Sequence, residues 1–137
     1  MPIPWLACML AAATAHHLPP RVLPAMQAVE GGAPGMMHVN IDGSVDLGVM
    51  QINSFWLPKI AADLREPAPA VVLRLRDEPC FNIEIAAAIL QFCLAEARGN
   101  MMHAVGLYHS RDPARGQAYA GRVLLAAKRL FVLRPRR

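Results

Sequence analysis

Glu30 and the run Asn40-Ile41-Asp42-Gly43-Ser44-Val45-Asp46-Leu47-Gly48-Val49-Met50-Gln51-Ile52-Asn53-Ser54-Phe55-Trp56 hold the residues whose types and spacing best fit a chemistry. Gly31 and Gly32 stop the apolar helical pattern that precedes them, so Glu30 falls at a helix C-terminus. A carboxyl there is partly desolvated and faces the negative end of the helix dipole. Both effects keep the proton on, which is how a glutamic acid becomes a general acid near neutral pH. By residue type alone an ordinary exposed Glu is the commoner outcome; the downstream run argues otherwise. Asp46 supplies a second carboxylate, and Gln51 and Asn53 supply amides suited to hydroxyl and N-acetyl groups. A proton-bearing carboxyl, a second acid and a row of amides are what cleavage of a glycosidic bond requires.

Asp46 admits two jobs. As an ionised partner it would stabilise oxocarbenium character and permit hydrolysis. As a structural residue it would accept backbone N–H bonds and cap a helix starting near Gly48, and this second reading is preferred. The other polar candidates are weaker. His16, His17, His38, His103 and His109 show no metal-ligand spacing within one element, so no metal is expected. Met36, Met37, Met50, Met101 and Met102 read as packing residues. Trp56 stands at helical spacing from Ile52 and reads as core. Arg111, Arg115 and the tail Arg134–Arg137 read as solvated, with attraction to an anionic wall polymer or a membrane surface as the second option.

The elements that must position these groups are mainly helices. Leu18 to Val29 carries Val22, Leu23, Met26 and Val29 at three- and four-residue steps, with Pro20 and Pro24 tolerable near its start. Residues 33–47 read as an extended loop with a small hairpin around Asp42-Gly43. Gly48 to Trp56 is expected to start a second helix or helical turn lasting until Pro58, with a further turn over Lys59 to Leu64. Val71 to Leu75 suggests a short helix. The clearest helix is expected from an N-cap at Asn82 through Ile85, Ile89, Phe92 and Cys93 to Ala97. Met101 to Tyr108 makes another, a loop covers Ser110 to Gly116, and Gln117 to Leu133 makes the last. The fold class is therefore all-α, or an α-dominated α+β domain with at most a small hairpin.

A chain of 137 residues has room for one domain and one core. Its charge of +4 favours an anionic partner. No Lys/Arg face is interleaved with aromatics, so nucleic acid is not expected. Ile3 to Ala13 is apolar and too short to span a bilayer, and Ala13-Thr14-Ala15 has the small-x-small form of a leader cleavage site. Residues 1–15 thus read as a signal peptide and 16–137 as the mature domain, exported to the periplasm and with no stable membrane span; the n-region lacks Lys or Arg, and a buried first helix is the alternative. Cleavage would remove Cys8. Cys80 and Cys93 are expected to stay unpaired, because a helix from Asn82 carries Cys93 on the order of 16 Å from its start, beyond disulfide reach. Cys93 is expected in the core.

The run Asp42-Gly43-Ser44-x-Asp46-x-Gly48-x-x-Gln51-Ile52-Asn53-Ser54-x-Trp56 resembles the active-site stretch of animal c-type lysozymes, and Glu30 matches the position of their acid. Gly48-Val49-Met50-Gln51 resembles the Gly-Leu-Met-Gln motif of Slt-type lytic transglycosylases, a bacterial branch of the lysozyme-like superfamily. Val105-Gly106-Leu107-Tyr108-His109-Ser110 occupies the place of their Ala-Tyr-Asn motif, and Tyr119-Ala120-x-Arg122-Val123 resembles their final Tyr-x-x-x-Val helix. Cys80-x-Asn82-Ile83 resembles the opening of the next helix in small IagB-like members. The resemblance spans roughly Leu18 to Val123. Three departures stand out: Gly31 replaces a usual Ser, His109 replaces a usual Asn, and cleavage after residue 15 would leave no N-terminal cysteine to pair with Cys80. Glu-Gly-Gly with Tyr-His-Ser is similar to conjugation and type IV secretion members.

The resemblance implies a lysozyme-like domain with an active-site groove that cleaves the β-1,4 bond between N-acetylmuramic acid and N-acetylglucosamine in peptidoglycan, without a cofactor. Glu30 would protonate the leaving oxygen, then take the proton of the muramyl 6-hydroxyl and leave a 1,6-anhydro end. Met50, Gln51, Asn53, Tyr108 and His109 would contact substrate, with Tyr108 bonded to Glu30 or the sugar. The partners implied are glycan strands and the components of a secretion or conjugation apparatus. Two alternatives remain: a muramidase using Glu30 and Asp46, and an inactive wall-binding scaffold.

Overall fold

The computed structural model describes residues 2–132. Its elements in chain order are α1 (Leu6–Ala15), α2 (Val22–Glu30), β1 (Met37–Val39), β2 (Val45–Leu47), β3 (Ile52–Asn53), a 3-10 turn (Ser54–Trp56), α3 (Leu57–Leu64), α4 (Ala68–Asp77), α5 (Pro79–Glu96), α6 (Met101–His109) and α7 (Pro113–Phe131). The mainly helical α+β class stands, with a three-stranded antiparallel sheet in the order β1-β2-β3. Its first two strands form the expected hairpin over Asp42-Gly43.

The centre of the molecule is α5. Pro79 opens it, where the missing N–H costs nothing. Ile83, Ala86, Ala87, Leu90 and Cys93 fall at three- and four-residue steps and are buried. By length and composition this helix is apolar enough to cross a membrane; here α1, α4 and α6 pack around it. A second layer forms where α7 packs on α2 and α6. That contact carries the α2 C-terminus, and so Glu30, up to the face of α7.

Several sequence expectations change. No helix starts at Gly48: the chain turns through Gly48–Gln51, adds β3, and only then enters the 3-10 turn and α3. Pro58 does not end a helix; it lies in the first turn of α3. The short helix over Val71 to Leu75 extends to Ala68–Asp77. Asp112 caps α7 by accepting from the Arg115 N–H at 3.0 Å, so the helix begins inside the expected loop. Leu133 and the Arg134–Arg137 tail lie outside the described residues.

Asn82 is no N-cap. It lies inside α5, fully buried, and its side chain makes three bonds. Nδ2 donates to the carbonyls of Leu47 and Leu75, each at 2.8 Å, and Oδ1 accepts from the Met50 N–H at 2.8 Å. One amide thus joins α5, the end of α4, β2 and the turn after it. Gly48 completes the joint: its φ is 70°, and a Cβ there would collide with the Leu75 carbonyl and the Asn82 amide.

The structure joins residues 6–15 to the domain expected to begin at residue 16. Met9, Ala12 and Ala13 of α1 are buried, and α1 packs against α5. Cys8 is disulfide-bonded to Cys80. The expectation of an unpaired Cys80 is overturned, because the partner comes from the segment assigned to the leader. Cys93 is free and buried, as expected.

Replacing Asn82 by Ala should cost about 3 kcal/mol or more, since two buried carbonyls and one buried N–H lose their partner together; urea unfolding measures it. Reducing the Cys8–Cys80 bond, which spans 72 residues, should lower stability by roughly 2–4 kcal/mol. The urea midpoint with and without reductant reads this, and Cys8→Ser should reproduce the shift.

Candidate active site

Glu30 is the last residue of α2, and Gly31 caps the helix in the left-handed region with φ 66°, its N–H donating to the Gln27 carbonyl at 2.8 Å. A left-handed C-cap is the position glycine fills without strain, which accounts for Gly31 where a serine is usual in the resembling family. Glu30 opens into a groove of about 840 Å³ between the β1–β2 hairpin and the α6–α7 connection. Asp46, Gln51, Asn53, Tyr108 and His109 line the same groove. Of the expected site residues, only Met50 does not.

Burial pushes the Glu30 carboxyl up to about 7, and the nearby Asp46 charge adds to the rise. Two groups oppose it. The Tyr119 hydroxyl donates to Glu30 Oε2 at 2.6 Å, and Arg122 adds positive potential. Tyr119 is itself buried, its phenol held far above its ordinary range by desolvation and the Glu30 charge, so it remains a donor. His109 stacks flat on the Tyr119 ring, with centroids 4.4 Å apart and planes at 4°. Burial and the Arg122 and Arg115 charges hold the His109 imidazole below its ordinary value.

The contact expected between Tyr108 and Glu30 is made by Tyr119 instead. The Tyr108 hydroxyl is buried and donates to the Met50 carbonyl at 3.1 Å. Tyr119 was visible in the sequence as the first residue of Tyr-x-x-x-Val, but nothing local showed that it meets a residue 89 positions away.

Asp46 sits in the middle of the sheet, paired with His38 on one side and Asn53 on the other, and caps no helix. One carboxylate oxygen accepts from Asn53 Nδ2 at 2.8 Å and the other from Asn40 Nδ2 at 3.1 Å. Asn53 also donates to Ser44 Oγ at 3.1 Å and accepts from the Phe55 N–H at 2.9 Å. Its amide therefore knits the hairpin to β3. The Gln51 backbone is left-handed, φ 50°, an uncommon state for a side-chain-bearing residue. Its Nε2 donates to the Gly48 carbonyl at 2.9 Å, and the residue lines the groove. Met50 has a fully buried side chain; its contribution is its backbone, held by Asn82 and Tyr108. Trp56 is buried, as expected, edge-on to Phe92. Among the described residues no three His, Cys, Asp or Glu side chains come together as a metal site.

Glu30 holds its proton more tightly folded than unfolded. Stability should therefore decline as pH rises from about 4.5, the ordinary Glu value, through about 7, and level off above. Glu30→Gln lacks that ionisation, so at pH 8 it should exceed the wild type by on the order of 2–3 kcal/mol, the gap closing toward pH 4. Urea unfolding across this range tests the sign, and carbon-detected NMR of the carboxyl should place its midpoint near 7.

A family model for the transglycosylase SLT domain matches residues 7–120. Invasion protein IagB of Salmonella typhimurium, strain SL1344, is 31% identical over 107 residues, covering 77% of this chain and 63% of that protein. The IagB proteins of strain LT2 and of Salmonella typhi match at the same identity and coverage. The chain thus covers less than two-thirds of the length of these relatives. The family match begins within α1 and takes in Glu30, the sheet, Tyr108 and Tyr119. A helical domain with a partly buried carboxyl lining a groove, carrying that match over most of its length, belongs to the SLT transglycosylase domain family.

Proposed function

We propose that the chain is a peptidoglycan lytic transglycosylase acting on the bond between N-acetylmuramic acid and N-acetylglucosamine, with Glu30 as its acid and base. The observation that carries this is the Glu30 carboxyl, raised to about 7 by burial, in a groove also lined by Asp42, Asp46 and the amides of Asn40, Gln51 and Asn53. At neutral pH a large share of Glu30 carries the proton. It gives that proton to the bridging oxygen as the glycosidic bond breaks. The resulting carboxylate removes the proton of the muramyl 6-hydroxyl, whose oxygen bonds to the anomeric carbon. One 1,6-anhydro end forms, one chain is released, and Glu30 is protonated again.

Tyr119 serves the second half of this cycle. Its hydroxyl stabilises the carboxylate after the first proton is delivered and keeps the carboxyl in one orientation. Asp46 spends both oxygens on the amides of Asn40 and Asn53, an arrangement that suits holding the groove wall better than attacking a sugar. Gln51 Oε1 and the His109 ring are the groups we assign to sugar contact. Asn53, Tyr108 and Met50 act by positioning.

We also propose that α1 stays with the mature domain, given its buried face, its disulfide and the reach of the family match. A disulfide and a wall substrate both suit an exported, periplasmic setting. The place of action we infer is local opening of the wall for a transenvelope secretion or conjugation apparatus, on the resemblance of Glu30-Gly31-Gly32 and Tyr108-His109-Ser110 to such members.

Purified sacculi test the chemistry. Wild type should release muropeptides lighter by one water than reducing-end products, and Glu30→Gln should fall by about a thousandfold or more while remaining folded. Reducing ends would instead identify hydrolysis, and no release by wild type would identify a binding scaffold. Tyr119→Phe should move the alkaline limb of the pH–rate profile upward by roughly one unit, since the carboxylate loses a charged hydrogen bond. A Glu30→Gln allele should also fail to restore transfer or secretion in a deletion strain.

A further inference from the structure

The groove holds two features that a bare sugar chain does not use. Arg115 lines it from the α6–α7 side, exposed, and among the described residues no carboxylate lies within 4.0 Å of its guanidinium. Arg111, Arg74 and Arg76 are each paired, to Glu96, Glu66 and Asp77 at 2.7, 2.9 and 2.7 Å. Arg115 also occupies the first turn of α7, at the positive end of that helix, where a cation disfavours the helix. Helix stability does not explain its place; an incoming anion would. On the opposite wall Val39 and Ile41 expose apolar side chains at the groove's rim. Asp42 stands beside them, and its charge turns a carboxylate away from that wall.

We propose that the groove reads the acidic stem peptide of peptidoglycan together with its glycan, Arg115 pairing with a stem carboxylate while Val39 and Ile41 meet the methyl groups of its alanines. This rests on the peptidoglycan reading above and adds a substrate preference to it. The stem is amide-linked to the muramyl lactyl group, so it leaves the glycan beside the bond to be cut. Where the acidic residue of the stem is linked onward through its side-chain carboxyl, its α-carboxylate stays free, and it is the first anion met along the stem from the sugars. A guanidinium forks onto it with two parallel N–H bonds. The wall acid and the wall base then fix which way the strand runs through the groove.

The test uses Glu30→Gln protein, which keeps ligands intact, and three soluble strands: one with stems, one a chitooligosaccharide with neither stem nor lactyl carboxylate, and one with the stem α-carboxyl amidated. Calorimetric titration should give about three- to fivefold tighter binding of the stem-bearing strand than of the other two, the range for an exposed but oriented ion pair. The ratio should fall to about one in Glu30→Gln/Arg115→Ala, recover in part with Arg115→Lys, and shrink with added salt. Equal affinity for all three strands, a ratio that persists without Arg115, or no binding to any strand overturns the proposal. Sacculus cleavage is read separately. Retained strand discrimination without cleavage would sink the catalytic reading alone, and cleavage with a ratio of one would sink this one alone.

Discussion

The groove depends on the buried amide of Asn82. An Asn inside a helix core carries donors and acceptors that water would otherwise satisfy, so it is tolerated only where protein groups replace them. Here the Leu47 and Leu75 carbonyls and the Met50 N–H do so, and each belongs to a different segment: β2, α4 and the turn that leads to Gln51. The turn through Gly48–Gln51 is fixed as a result. Its far side is held by Tyr108, which caps the Met50 carbonyl from α6. Gln51 is left in a strained backbone state at the edge of the groove that it lines. A polar core contact and a strained surface residue are thus two ends of one arrangement, with the turn between them.

A different balance governs Glu30. Desolvation alone would hold the proton to higher pH, and a fully hydrated carboxyl would lose it near the ordinary Glu value. The site lies between these limits because Tyr119 and Arg122 partly offset burial and the Asp46 charge. The stacking of His109 on Tyr119 adds a mechanical element: a ring held at 4° to its neighbour has little freedom to swing its hydroxyl off the carboxyl. An imidazole replaces the usual Asn of the resembling family at a cost to amide contacts, and in return it gives a flat face against the tyrosine.

Much of this was legible in the residues. The Gly31-Gly32 stop placed Glu30 at a helix end, and Asp42-Gly43 marked the hairpin. The apolar steps of α5 and α6 needed no tertiary information. The larger errors share a cause: they involved segments whose conformation is set by partners far along the chain. Asn82 has the residue type of a cap, and only the three converging backbone groups reveal it as core. Gly48 to Trp56 carries a passable helical spacing, yet the bonds to Asn82 and the pairing of Asp46 with Asn53 hold it as turn and strand. Tyr119 could be named from its motif but not assigned to Glu30, because α2 and α7 meet only in the folded domain. Cys8 was set aside with the leader, although its apolar neighbours fit a buried helix equally well.

The bond between Cys8 and Cys80 has a topological consequence. The covalent ring it closes contains Glu30, the whole sheet, Gln51 and Asn53, while Tyr108, His109, Tyr119 and Arg122 all lie outside it. The residues inside the ring therefore share a covalent restraint, and those outside it are joined to them by packing and by hydrogen bonds such as Tyr119 to Glu30 and Tyr108 to Met50. In a thiol-rich milieu only the first group loses a covalent restraint. The fold therefore depends on the redox state of its surroundings more on one side of the groove than on the other.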